Sequence, residues 1–326
     1  MTRFLVCPDS FKGTFSAPEV AAAIGAGVEE AGATADLCPT ADGGEGTAEA
    51  VRAALGGEVR EAGAHDPLGR PIHASFVLVE DGGTAVVDTA AASGLPLVAP
   101  DESDAVAAST YGTGELIAAA IETGARRVLL AAGGSATTDG GLGATRALRE
   151  RGGLGGASLI VLCDVRTAFE DAARVFAPQK GADPATVERL AERLDRIAAE
   201  LPRDPRGVPM TGCAGGLSGG LWAAFGAELR PGAEFVLDLL GFEARLAAAD
   251  AAIGGEGRID SQSLEGKVVG EIAAACAAVG RPFHVIVGQD RLAPATADRT
   301  GIASIDKAGT LEAIRDAARR LASSPY

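Results

Sequence analysis

The chain begins and ends in one texture and changes to another in between. TRFLVC (2–7) reads as a buried strand, and PDSFKG (8–13) turns away from it. Ser16 caps a helix through APEVAAAIGAGVEEAG, with Glu19 at the capping-box position. ADLCPT gives a second strand, and ADGGEGT is a glycine-rich turn into another helix. From about residue 247 the same alternation returns. A strand in AAADAAIGG leads to a turn, a helix through LEGKVVGEIAAACAAVG, strands in PFHVIVGQD and GIASI, and a final amphipathic helix, TLEAIRDAARRLA. Such βαβα order calls for a parallel sheet. Residues 58–89 instead alternate apolar and polar side chains, broken by the turn signals DPLGRP and EDGG, so an antiparallel meander is expected there. The fold class that follows is α/β with two domains. One is a parallel-sheet domain from both chain ends, residues 1–57 and 246–326; the other is an inserted α/β domain with antiparallel strands, residues 58–245.

Composition narrows the function. A net charge of −15, with no basic tract, argues against nucleic acid as a partner. No apolar run is long enough to cross a bilayer, and MTRFLVCPDS leads straight into structure rather than reading as a signal peptide. The five cysteines are scattered with no CxxC pair, which fits reduced thiols and an expected cytoplasmic location. His65, His73 and His284 have no ligand spacing for zinc. Of 29 basic residues only Lys12, Lys180, Lys267 and Lys307 are lysines, and the first three each adjoin a glycine. A retained lysine marks a place where a compact ammonium suits better than a planar guanidinium.

The turns carry most of the chemistry. Glycine stands beside acid in PDSFKG (8–13), ADGGEGT (41–47), GGSATTDGG (133–141) and GGEGRID (254–260), and CDV (163–165) ends another buried strand on an acid. In open α/β sheets ligands bind beyond the carboxyl ends of the strands, where glycines let backbone N–H groups approach an anion. Carboxylates among such donors suit a divalent cation or a base that takes a hydroxyl proton. The set therefore points to phosphoryl transfer. Each turn also has a plainer reading: Asp42, Asp139 and Asp260 as helix caps worth about 1 kcal/mol each, Asp9 as a turn cap, Arg70 as decoration of the DPLGR turn. Ser135 lacks a GxSxG frame and a histidine, which argues against an esterase. SQSLEGKV (261–268) fails as a P-loop, and the glycine strings lack the third glycine of a dinucleotide fingerprint, so a nicotinamide dehydrogenase is poorly supported.

Taken as an ordered set, PDSFKGT, ADGGEGT, DPLGRP, AAASGL, TYGTGELI, GGSATTDGG, VFAPQKGA, AGGLSGG and GEGRIDSQSLEGK resemble the bacterial glycerate kinases of the glycerate 2-kinase type, from residue 1 to about 320. The resemblance implies a flavodoxin-like domain from the chain ends, an inserted domain, and an ATP- and Mg²⁺-dependent kinase acting on D-glycerate. The implied product is 2-phosphoglycerate, with 3-phosphoglycerate the less expected one. Three departures stand out: Thr138 where the family has Asn, Ala177 where it has Gly, and a chain shortened near 152–157, where GGLGG bridges a gap of several tens of residues.

Combined with residue chemistry, the resemblance assigns expected roles. Asp139 is the expected general base, with Lys12, Asp42 and Lys180 as the other catalytic residues. Ser10, Glu45, Arg70, Gly134, Ser135, Glu256 and Arg258 are expected to bind substrate or phosphate, and Asp164 and Asp260 to hold Mg²⁺. The expected partners are D-glycerate and ATP, neither nucleic acid nor membrane, with a homo-oligomer compatible. Two alternatives accompany this reading: a kinase for another small hydroxy acid, and a binding homologue impaired by the internal deletion. The retained charges at Lys12, Asp42, Asp139, Lys180 and Asp260 argue against the second.

Overall fold

The structure is a computed structural model that describes residues 1–264, 266–292 and 301–323. It divides into two compact units: residues 1–42, 49–56 and 233–326, and residues 43–48 and 57–232.

The first unit is built on a sheet of β1 (Arg3–Val6), β2 (Thr34–Leu37), β9 (Ala251–Ile259), β10 (Phe283–Asp290) and β11 (Ser304–Lys307). Its order is β2-β1-β9-β10-β11, and every pairing is parallel. Counted within the unit this is 2-1-3-4-5, the flavodoxin-like order. The alternation of helix and strand forces it, since parallel neighbours need a crossover. The join between the chain ends is β1 against β9, Phe4 opposite Ala251 through Val6 opposite Ile253. Phe4, Val6, Ile24, Ile253, Ile286 and Ile314 fill the core between this sheet and the helices Ala17–Glu30 and Leu311–Ala322. The first of those helices starts as its sequence predicts: Glu19 Oε2 accepts from the Ser16 N–H at 2.8 Å.

The second unit has six strands in sequence order: β3 (Glu58–His65), β4 (Pro71–Val79), β5 (Thr84–Asp88), β6 (Arg127–Ala132), β7 (Ser158–Cys163) and β8 (Glu228–Pro231). The pairs β3/β4 and β4/β5 are antiparallel, which is the meander expected from the alternation over 58–89. From β5 to β8 the sheet is parallel. The short connection at 151–157 suffices to bring β7 beside β6, from Arg127 opposite Ser158 to Ala132 opposite Cys163. Leu148, Leu159 and Val161 join the same buried cluster as Leu116, Leu130 and Leu217.

One local reading needs correction. GGEGRID does not turn away from its strand, because Gly254–Ile259 continue β9 and pair with β10 as far as Asp290. The glycine-rich 212–227 segment is a helix, Cys213–Phe225, entered through three left-handed residues, Ala214, Gly215 and Gly216.

Candidate active site

In each unit the chemistry-bearing residues lie at the carboxyl ends of the parallel strands. In the first unit a cavity of about 620 Å³ opens there. Asp9, Ser10 and Lys12 reach it from the turn after β1, Asp42 from beyond β2, Glu256 and Arg258 from β9 itself, with Lys267, Gln289 and Arg291 around them. For this strand order the switch point lies between the first and third strands, here β1 and β9, which supply Asp9 and Glu256.

The electrostatics of this cavity are set by acids crowded together under cover. Lys12 Nζ stands 3.1 Å from Asp42 Oδ2; the lysine is mostly exposed and the aspartate buried. Burial, then the neighbouring Asp42, pushes the Asp9 carboxyl up to about 7, against the pull of Lys12 and of the Ser10 N–H, 2.6 Å from Oδ1. Glu256 is likewise pushed up to about 7, chiefly by burial, with Ser263 and Lys267 opposing. Its Oε1 is buried with no hydrogen-bond partner among the described residues. Asp260 stands apart from the cavity lining and pairs with Arg258 Nε at 3.2 Å.

In the second unit a cavity of about 80 Å³ is lined by Gly133, Gly134 and Ser135 after β6, Asp164 after β7, and Gln179 and Lys180. An apolar chamber of about 430 Å³ shares Leu95, Gln179 and Lys180 with it. Gly133 is required by close approach, because a Cβ there would meet Gly44 Cα at 2.6 Å. That approach sets Glu45 against the turn, with its Oε2 2.7 Å from where a Gly134 Cβ would be. Lys180 closes the short 3-10 turn Pro178–Lys180 and is only 3% exposed. Its Nζ donates to Ser135 Oγ at 3.1 Å and to the Thr137 carbonyl. Burial lowers it to about 7, with the charge of Asp139 pulling the other way.

Asp139 itself is 2% exposed and lines neither cavity. Its carboxylate accepts from the Thr110 N–H at 2.8 Å, the Thr110 hydroxyl at 2.9 Å, the Gly141 N–H at 3.0 Å and the Gly143 N–H at 3.1 Å. Three of these bonds converge on Oδ2 and one on Oδ1, which holds the carboxylate firmly in place. Held so, Asp139 ties the starts of the helices Tyr111–Glu122 and Leu142–Glu150 together. Arg70 is held in the same way. Its guanidinium is held by Asp66, Glu102 at 2.8 Å and the Leu97 carbonyl at 3.0 Å, and it lines neither cavity of its unit.

The metal expectation changes too. Among the described residues no group of three or more His, Cys, Asp and Glu side chains is arranged to hold a metal ion. Asp164 is the sole acid lining the small cavity, and Asp260 is engaged by Arg258. The residues that sequence reasoning passed over are Asp9, read as a turn cap, and Gln179. Asp9 follows a buried strand and precedes a lysine, and Gln179 adjoins Lys180; each signal was present but was overshadowed by its neighbour.

Comparison with known proteins adds the lineage. A model of the glycerate kinase family matches residues 4–152 and 149–324. The chain belongs to the glycerate kinase family. The break between the two matched stretches falls at the short 151–157 connection. This glycerate kinase family member is 36% identical to the glycerate 2-kinase of Escherichia coli (strain K12) over 323 residues, covering 88% of this chain and 85% of the relative. It is 38% identical to the glycerate kinase of Bacillus subtilis (strain 168), with the same coverage of 88% and 85%. A solved structure of a candidate glycerate kinase 2 from Salmonella typhimurium LT2 superposes with a TM-score of 0.85 at 35% identity, over 98% of this chain and 97% of that one.

Proposed function

We propose that the chain transfers the terminal phosphoryl group of ATP to D-glycerate, giving 2-phosphoglycerate. The observation that carries this reading is the cavity at the strand ends of the first unit, where Lys12, Arg258, Lys267 and Arg291 stand among Asp9, Asp42 and Glu256. Cations and acids in one cavity suit a polyphosphate that arrives with a divalent cation, and phosphoryl transfer needs positioning and charge neutralisation above all. Membership of a family whose relatives are named glycerate kinase and glycerate 2-kinase supports the acceptor and the 2-position.

The acids present fit Mg²⁺. Asp42 raises the proton affinity of Asp9, and Glu256 Oε1 is a buried acceptor without a hydrogen-bond partner among the described residues; a hard cation relieves both conditions. Asp9 and Asp42, with phosphate oxygens and water, would hold it beside Glu256, in place of Asp164 and Asp260. The ion would supply neutralisation of the charge on the phosphate oxygens. Lys12 and Arg258 then hold phosphate oxygens, and Ser10 offers its hydroxyl at the turn after β1. In the second unit the small cavity suits a small acid. Gly134 and Ser135 receive its carboxylate and hydroxyl, with Lys180, Glu45 and Asp164 beside them.

The direct test is ADP release from ATP and Mg²⁺ with and without D-glycerate, followed by phosphorus NMR of the product. A phosphorus coupled to the single methine proton names the 2-phosphate, and coupling to the methylene pair names the 3-phosphate. ADP release indifferent to glycerate would sink the reading. The apolar chamber next to Lys180 favours one second reading, a hydroxy acid with an apolar tail. Comparing kcat/KM for D-glycerate with that for 2-hydroxy acids of increasing chain length separates the two.

A further inference from the structure

We infer that Ser135 and Lys180 together are the proton acceptor of the transfer, with Ser135 in contact with the substrate hydroxyl and Lys180 behind it. The inference rests on the kinase reading above and assigns the base that Asp139 leaves vacant. The geometry is that of a relay. Ser135 lines the small cavity at the end of β6, and its Oγ lies 3.1 Å from Lys180 Nζ. The amine has one other partner, the Thr137 carbonyl, and no ion pair among the described residues. A buried ammonium without a carboxylate partner is costly, whereas a neutral amine accepts a hydrogen bond from Ser135 and turns the serine lone pairs toward the cavity.

The charges that face Lys180 are few. Asp139 comes from the segment that also carries Ser135, Asp164 from the end of β7, and Asp104 from the wall of the apolar chamber. Asp139 is held by its four donors and acts on the amine through its field alone. The lowered proton affinity of Lys180, to about 7, agrees with an amine able to take a proton near neutrality.

The step balances without another reactant. The substrate hydroxyl gives its proton to Ser135 Oγ while Ser135 gives its own to Lys180 Nζ. The substrate oxygen bonds to the terminal phosphorus of ATP, the bond from that phosphorus to the bridging oxygen breaks, and ADP leaves with the electron pair. The ammonium returns its proton to water after the products depart.

The test is the pH profile of kcat with D-glycerate and ATP for the wild type, Lys180→Met, Lys180→Arg and Ser135→Ala. The wild-type rate is expected to fall tenfold per pH unit below about 7. Lys180→Met should lose about 10²–10⁴-fold in kcat with the KM for ATP unchanged, should lose that acidic limb, and should be rescued by small primary amines in proportion to their basicity. Ser135→Ala should lose at least about tenfold in kcat. Full activity in Lys180→Arg would show that a fixed cation suffices and overturn the inference, as would an unchanged kcat in Lys180→Met. If Lys180→Met fails to fold, an unchanged kcat in Ser135→Ala overturns it alone. Absence of glycerate-dependent ADP release in the wild type would instead remove the kinase reading on which it stands.

Discussion

Asp139 and Lys180 exchange the roles that their sequence settings propose. An acid between glycine pairs looks like a reactive group, and a lysine in PQKG looks like a clamp. Their surroundings decide otherwise: four donors converge on Asp139, while a single hydroxyl and one carbonyl attend Lys180. Asp139→Asn is therefore expected to act on stability. The amide keeps one acceptor oxygen and turns N–H groups toward N–H donors, which costs about 2–4 kcal/mol by urea unfolding. The kcat of the folded fraction should stay within about tenfold of wild type, less than the loss expected for a general base. That Asp139, Lys180 and Ser135 are candidates was legible from composition and spacing. Which of them is satisfied internally was not, because Thr110 and Gly143 reach Asp139 only once the helices they begin have been packed.

At the scale of elements, hydrophobic patterning carried further than motif reading. The strands β1, β6, β7 and β10 follow from their apolar runs, and β3 to β5 from alternation. The edge strand β8 escaped, since ELRP is four residues with no apolar run, and the helix Cys213–Phe225 was hidden by its glycines. Those glycines explain much of GGSATTDGG. Gly133, Gly134 and Ser135 face the cavity, whereas Thr137, Thr138, Gly140 and Gly141 lie against the glycine-rich helix and its entrance. A Cβ on Gly215 would sit 2.0 Å from the Thr137 carbonyl oxygen, at a φ of +67°. Gly215→Ala should destabilise by about 3 kcal/mol or more, from left-handed strain plus a backbone clash, read as a drop in Tm. A variant with wild-type Tm would mean that the two segments are not in backbone contact.

For the molecule as a whole, the shifted groups shape stability against pH. Asp9 and Glu256 are raised to about 7 in the folded state, so they hold protons that the unfolded chain releases near its ordinary carboxylate range. Their contribution is fully present below about 4 and is lost as pH rises through about 7. Lys180 is lowered to about 7, so the folded chain binds fewer protons than the unfolded one between about 7 and 10, and stability recovers as pH rises there. The ligand-free protein should therefore show a dip in Tm near neutral pH, and Asp9→Asn should flatten its acid side. A Tm that climbs steadily from about pH 5 to 8 would contradict the buried acids.

The pairing of β1 with β9 also fixes an order of events during synthesis. Arg3 bonds through its N–H to Asp250, 247 residues later, so the first strand leaves the ribosome long before its neighbour exists. At about 5–20 residues per second that wait is roughly 12–50 s. Strands β3 to β8 all emerge within it. The second unit can thus assemble on the nascent chain while the amino-terminal strand has only β2 beside it and its β9 side is still unpaired, and the sheet that bears Asp9 and Lys12 closes last. A chain stopped before Asp250 would carry a nearly complete second unit and an exposed apolar edge beside it, which is a natural substrate for chaperones and proteases.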